Sequence, residues 1–536
     1  MTTYASVGVR RIQTHLARTR SLWGRRGASD QLWDLTQLPE PEDASSPQGQ
    51  QLPRHQRGHG ALVAQVLQQH PGVEVNREAL DIDGEIPIQG PSLDQVCQAA
   101  ECLAQRIQER QPAVEVVVRI WADQDSYPAT LAAPAQQQEY LPAIREYPPV
   151  RTCEECQTDA VSHQMPDSAK TPPGLRDKRL CHDCFHRTTM GRHDSLQFIQ
   201  QKDEQSDELD DLVCWDLPGD SDRPDGLRVE AWLLTVMNQN RNQNRTSPLG
   251  YLRNFDELAR VPALSTDPER RTRTYEDNHT ALVFADANGL GGIFGKLRRK
   301  AANDEQTVRQ LKELSKAVKQ ATGKALIAAT TAVTDPSDTK LAVIPHLLGG
   351  DDLLVSLPAT RVWPFVRELM SNLHQQFEEH VDPFIPEQLG LPKPSVSAAV
   401  LISQLAFPFG LQVDLVEQLL QQAKKHGLGR QWTLSWQDVT HEGVDLVDRT
   451  PWDWQELTSR RPALDYLTQQ LTGSAVGALR ADLADENLFG AGLKLEYRSR
   501  RLAEVKQLLK DLGIETVEED EVRLLRDVLV LGRWWR

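Results

Sequence analysis

Between residues 281 and 425 the apolar positions of the chain fall into two alternating rhythms. Short unbroken apolar runs at 281–285, 341–348, 353–357 and 395–402 read as strands covered on both faces. Between and after them Val308, Leu311, Leu314 and Val318, then Val366, Leu369, Met370, Leu373 and Phe377, then Val416, Leu419, Leu420 and Ala423 recur at helical spacing. The first of these helices is expected over residues 303–322, with Gly323 as its stop signal. The order is strand, helix, hairpin, helix, strand, helix. Such a split β-α-β unit sets the end of its first strand beside the tip of its hairpin. A fainter version precedes it, with an amphipathic helix at 96–107 followed by a strand-like stretch at 114–120. From about residue 450 the pattern turns helical, with a late amphipathic segment at 502–509 and an aromatic end, Trp534-Trp535.

The hairpin tip reads Gly349-Gly350-Asp351-Asp352. Adjacent carboxylates repel unless a cation shares them, and two glycines let a phosphate or metal approach the backbone, which points to magnesium. The first strand of the unit ends at Asp286, and Asn288, Gly289, Gly291 and Gly292 then read as a glycine-rich turn whose N–H groups can cradle phosphates. The predicted topology brings Asp286 and Asp351 to one metal pair, with Asp352 adjacent.

Cysteine spacing adds a second kind of chemistry. Cys153-x-x-Cys156 and Cys181-x-x-Cys184 form two paired motifs, the pattern of a tetrahedral structural zinc held by four thiolates. His163, His182, His186 and His193 lie near enough for a mixed site, but four thiolates already close the shell. Cys97, Cys102 and Cys214 show no pairing pattern. Zinc thiolates fit a reducing, cytoplasmic compartment, and no apolar run is long enough to span a bilayer.

At 536 residues the chain has room for three or four domains, and its net charge of −16 excludes a protein that coats nucleic acid with its whole surface. Arg10, Arg11, Arg18, Arg20, Arg25 and Arg26 form one local basic cluster, and Arg498, Arg500 and Arg501 another. Each alone reads more simply as a solvated helix face. Residues 39–60 and 132–149, rich in Pro and Gln, and the acidic stretch 201–226 read as linkers. The Asn/Gln stretch at 238–244 reads as a loop without chemistry.

In order, the segment Ala285-Asp286-Ala287-Asn288-Gly289-Leu290-Gly291, the Gly-Gly-Asp-Asp tip, the strand Ser395-Val396-Ser397-Ala398-Ala399 and the helix end Ala423-Lys424 resemble the large polymerase/cyclase subunit of type III CRISPR effector complexes. Residues 12–29 are similar to the opening of that family's first palm, which lacks the acidic hairpin. The resemblance implies an α/β fold with two ferredoxin-like palms, a zinc-binding insertion between them and a helical C-terminal domain. It sets a first palm at 1–150, a zinc domain with acidic linker at 151–226, the second palm at 227–445 and the helical domain at 446–536. It further implies that ATP is joined 3′–5′ into cyclic oligoadenylates, in a complex with other effector subunits, guide RNA and target RNA. Two magnesium ions are then held by Asp286, Asp351, Asp352 and the Ala287 carbonyl. Gly289, Gly291, Gly292, Gly349, Gly350 and Lys424 face the triphosphate, and Asn288 joins them. Ser29 and Ser397 are candidate ribose or base contacts, although a serine in a turn or strand is more often a local hydrogen-bonder. The family's HD nuclease has no counterpart here, since His182-Asp183 and His193-Asp194 lack the further partners it needs, so no DNA cleavage is expected. Ala399 stands where the family usually has Gly, and His346-Leu347-Leu348 replaces its usual residues before the tip. The other readings are a non-catalytic scaffold subunit of the same ribonucleoprotein and a stand-alone nucleotide cyclase.

Overall fold

The computed structural model describes residues 2–10, the separate positions 15, 18, 24, 25, 28, 32, 35, 36, 38 and 39, and then 61–79, 84–131, 133–141, 151–166, 175–185, 187–188, 229–243, 247–252, 254–262, 264, 278–301, 304–385, 390, 392–484 and 487–535. Ser29, Arg11, Arg20, Arg26, His186, His193, Cys214 and the acidic stretch 201–226 lie outside the described residues.

The first sheet is built from β1 (Thr2–Arg10), β2 (Glu74–Val75), β3 (Glu85–Gly90), β4 (Glu115–Gln124) and β5 (Gln136–Tyr140). Helix α1 (Ala61–Gln69) lies between β1 and β2 in sequence, and α2 (Leu93–Arg110) between β3 and β4. The strand order is β2-β3-β1-β4-β5 with antiparallel pairing throughout, so its first four strands have the ferredoxin-like arrangement. Val7, Ile86, Ile88, Val116 and Val118 pack against Val96, Leu103 and Ile107 of α2, all fully buried. β5 falls within a stretch expected to be linker. Its glutamines stay exposed while its backbone pairs with β4, and Gln108 of α2 donates to the Tyr140 carbonyl at 2.8 Å, so backbone pairing rather than side-chain burial makes this strand.

The second sheet repeats the plan. It contains β8 (His279–Asn288), β9 (Ile344–Leu348), β10 (Asp352–Pro358), β11 (Ser395–Gln404), β12 (Thr433–Asp438) and β13 (Trp452–Asp453), in the order β13-β12-β11-β8-β10-β9. Within it β11-β8-β10-β9 forms the ferredoxin-like core. Successive side chains of β8 alternate between two apolar layers. Ala281, Val283, Ala285 and Ala287 join the core formed with α4 (Leu290–Ala301), α5 (Glu305–Ala332) and α6 (Val362–Gln376). Leu282 and Phe284 face α7 (Phe409–His426) on the opposite side.

Three sequence expectations change here. α5 runs through Gly323 to Ala332, because Ala325, Leu326 and Ala329 continue the buried stripe and tertiary packing outweighs the cost of one helical glycine. The glycine-rich turn after Asp286 shrinks to Gly289, with Gly291 and Gly292 in the first turn of α4. The Asn/Gln stretch ends a helix, α3 (Val229–Gln243), and Asn238 is buried there, its side chain bonded to both the N–H and the carbonyl of Leu249.

The cysteine region holds a two-stranded ribbon, β6 (His163–Gln164) and β7 (Arg179–Leu180). Arg18 pairs with Asp159 at 2.8 Å, and Arg187 pairs with Asp183 and donates to the His15 carbonyl, both at 2.8 Å, tying this region to the N-terminal segment. The C-terminal helices are α8 (Trp454–Gln469), α9 (Gly473–Leu483), α10 (Leu488–Arg501), α11 (Ala503–Asp511) and α12 (Glu519–Gly532). They share one apolar core with the second palm. Trp534 donates to Asp438 at 2.8 Å and Trp535 to Asp465 at 2.7 Å, while Trp363, Trp436 and Trp452 meet edge to face. The sheet itself reaches past residue 446 because Trp452 pairs with Leu434.

The described arginines of both basic clusters are engaged within the protein. Arg10 pairs with Glu139 at 2.8 Å, and Arg25 is buried with its guanidinium 3.1 Å from the centre of the Phe409 ring. Arg498 pairs with Asp482, Arg500 with Glu496 at 2.6 Å, and Arg501 lies over Tyr497. No helix among the described residues is long and apolar enough to cross a membrane.

Candidate active site

Strand register decides which acids share a face. Asp286 on β8 stands directly opposite Asp352 on β10 and opposite Ser397 on β11. By the two-residue period, Asp286 and Asp352 lie on the side of Phe284 and Leu354, the side that α7 covers. There Lys424, in the last turn of α7, forms an ion pair with Asp286. Burial pushes the Lys424 ammonium below its usual range.

The hairpin tip is tightly held. Gly349 N–H donates to the Asp352 carbonyl at 3.0 Å and Asp352 N–H returns to the Gly349 carbonyl at 3.2 Å. The Asp351 carbonyl accepts from Ala287 N–H at 3.2 Å, and Thr322 of α5 donates to the Gly350 carbonyl at 3.0 Å. A Cβ on Gly349 would stand 3.0 Å from Asp352 Oδ1, so glycine leaves the carboxylate its place. Burial raises the Asp351 carboxyl above the ordinary carboxylate range.

An open groove of about 820 Å³ runs along this face, lined among others by Asp286, Asp352, Lys424, Lys425, Glu417 and Gln421. Three residues after Asp286, Gly289 adopts φ +83°, which side-chain-bearing residues rarely do, and apart from chain neighbours and the helix's own backbone no atom lies within 4 Å of where side chains on Gly289, Gly291 or Gly292 would begin. The N-terminus of α4 therefore stays open to a phosphate. Asn288 and Ser397, read from the sequence as ligand contacts, are instead buried and bonded to one another at 2.9 Å. Thr433, which the sequence reading passed over, meets Ser397 at 2.9 Å. Its strand gives no signal for it, because Ser435, Gln437 and Asp438 are polar as well.

Hard carboxylate oxygens suit magnesium. Asp286 and Asp352 offer them on one face, Lys424 already supplies a positive charge beside Asp286, and Asp351 is a half-buried acid that a cation would favour as carboxylate. The donor set fits the ion. Among the described residues the three aspartates do not crowd together as the cysteines do.

The four cysteines do converge. The sulfurs of Cys153, Cys156, Cys181 and Cys184 all lie within 4.8 Å of one another, and those of Cys156 and Cys181 are 3.8 Å apart. A tetrahedral site with zinc–sulfur bonds of about 2.3 Å requires sulfurs roughly 3.8 Å apart. Contact with Cys153 pushes the Cys156 thiol down and the Cys184 thiol up, as expected of sulfurs that cannot all ionise without a cation. His163 stacks on Phe185 beside the site, and no histidine joins the ligand group among the described residues.

Residues 279–431 match the Cas10/Cmr2 second palm domain. No curated protein matches the chain. Solved structures similar to it include the Csm1-Csm4 cassette in complex with cA4, at 11% identity and a TM-score of 0.48, covering 99% of this chain and 69% of that one. The same cassette with cA3 follows at 12% and 0.46, covering 99% and 69%. The Csm1-Csm4 subcomplex of the type III-A CRISPR-Csm interference complex gives 12% and 0.44, again covering 99% and 69%. Asp286 and the Gly349–Asp352 tip both lie inside the stretch 279–431 that matches this second palm domain.

Proposed function

We propose that this chain is the nucleotidyltransferase subunit of a type III CRISPR RNA-guided effector complex, converting ATP into cyclic oligoadenylate messengers in antiviral defence when target RNA is bound. One observation carries the reading: Asp286 and Asp352 face each other across adjacent strands, on the wall of an open groove and beside Lys424. Asp286, Asp351, Asp352 and the Ala287 carbonyl would hold magnesium, which would supply charge neutralisation at the α-phosphate and a more acidic ribose hydroxyl. Lys424 pairs with phosphate oxygens, and the N–H groups at the start of α4 receive the triphosphate beside Gly289. Gly349 and Gly350 keep the hairpin tip bare enough for the substrate to approach. Neighbouring effector subunits hold the guide and target RNA, which is consistent with an acidic chain whose described basic clusters are internally paired.

The test incubates the protein, alone and within its ribonucleoprotein complex plus target RNA, with magnesium and each labelled NTP, beside an Asp351→Ala/Asp352→Ala control. Adenylate oligomers that vanish in the control are the expected result, and their dependence on target RNA separates the complex subunit from a stand-alone cyclase. Absence of product in every condition leaves the scaffold role.

A further inference from the structure

A directed chain of hydrogen bonds runs beneath the groove from β8 to the last turn of α7. Asn288 Nδ2 donates to the Ser397 hydroxyl at 2.9 Å and to that of Ser395 at 3.2 Å. The Ser397 and Thr433 hydroxyls meet at 2.9 Å, and Thr433 donates to the Ala423 carbonyl at 3.1 Å. A hydroxyl has one proton. Thr433, having given its own to Ala423, must accept from Ser397, and Ser397 in turn accepts from Asn288. Asn288 is 5% exposed and Ser397, Thr433 and Ala423 are 0%, so a broken link leaves a buried polar group unsatisfied.

The two ends of this relay are the two phosphate-facing parts of the site. Asn288 precedes the Gly289 turn, and Ala423 precedes Lys424, the partner of Asp286. A Cβ on Gly427 would come within 2.7 Å of Thr433 Cγ2, so the glycine at the end of α7 is what lets Thr433 reach the helix carbonyl.

We infer that Ser397 and Thr433 are positioning residues, holding Lys424 against Asp286 and the Gly289 turn, and that Ser397 makes no contact with ribose or base; the catalytic part of this assignment rests on the proposed enzymatic role. Thr433→Val keeps the shape and removes the proton, Thr433→Ser restores it, and Ser397→Ala breaks the middle link. In the complex with target RNA, Thr433→Val and Ser397→Ala are each expected to lower kcat roughly tenfold with KM for ATP little changed. Their double variant should fall no further than either single one, and Thr433→Ser should stay near wild type. A raised KM in Ser397→Ala beside a wild-type-like Thr433→Val would mark Ser397 as a ligand contact and overturn the inference. Amide hydrogen exchange supplies a readout independent of product. Residues 423–429 should exchange roughly tenfold faster in Thr433→Val, with the rest of the second palm unchanged and protection restored in Thr433→Ser. If the wild type makes no adenylate, the enzymatic role fails by itself. Exchange then decides the relay, with unchanged rates overturning it and local loosening supporting it.

Discussion

Asp286 and Asp352 are acids on adjacent strands, and Lys424 supplies the opposite charge beside the first of them. Lys424→Met leaves the pair to repel and removes the proposed phosphate partner, so product formation should fall by about 100-fold with the fold retained. Steady-state rates and circular dichroism together check this, and a variant of wild-type rate refutes the role. A second residue-scale expectation concerns His279, which is buried against Trp534 with ring centres 5.0 Å apart. Its pKa is lowered, chiefly by burial, with Asp438 opposing. The unfolded chain therefore takes up a proton, near pH 6.5 on the ordinary histidine scale, at a pH where the folded protein still resists it. Stability is present above that pH and is lost as pH falls toward the lowered folded value. The drop in Tm between about pH 7 and 5 should be smaller in His279→Phe, and equal slopes in both proteins would sink the assignment. At this scale the acids, the glycines and the cysteines were legible because their chemistry is written in residue type. Thr433 was not, since a hydroxyl earns meaning only from what it touches.

Elements follow their hydrophobic period closely, and the deviations have local causes. The stripe Val366-Leu369-Met370-Leu373 is α6, and Val416-Leu419-Leu420-Ala423 lies within α7. α5 overran its predicted stop because packing of Ala325 and Leu326 outweighs the preference of Gly323. β5 escaped notice because an exposed edge strand of glutamines has no apolar alternation to show. Helix packing also sets a testable limit at the far end of the chain. A Cβ on Gly532 of α12 would lie 2.3 Å from Leu467 Cδ2, and Leu467 is itself buried in α8. Gly532→Ala should cost about 1–3 kcal/mol by overpacking, seen as a lowered Tm, even though alanine is the better helix former. Unchanged or raised stability would show that Leu467 yields freely.

Across the whole molecule, two palms of like topology stand with a cysteine cluster and a helical tail, and the tail shares the apolar core of the second palm. The cysteine region is tied to the N-terminal segment by Arg18–Asp159 and Arg187–His15. Metal analysis should find about one zinc per chain. Stripping it with a chelator should open residues 151–188 to protease while the second palm, with its separate core, keeps its exchange protection. Equal resistance before and after chelation would argue against a structural metal. The sequence by itself determined the ingredients: the order of strands and helices between residues 281 and 425, the acidic hairpin, the glycines after Asp286 and the four thiols, because each rests on local periodicity or on side-chain chemistry. Only the tertiary structure decided which of them meet. That Asp286 faces Asp352 rather than Asp351 depends on strand register, where a slip of one residue turns every side chain to the other face. That Asn288 and Ser397 turn inward, joined through Thr433 to the end of α7, depends on three strands and a helix separated by up to 145 residues of chain packing into one buried layer.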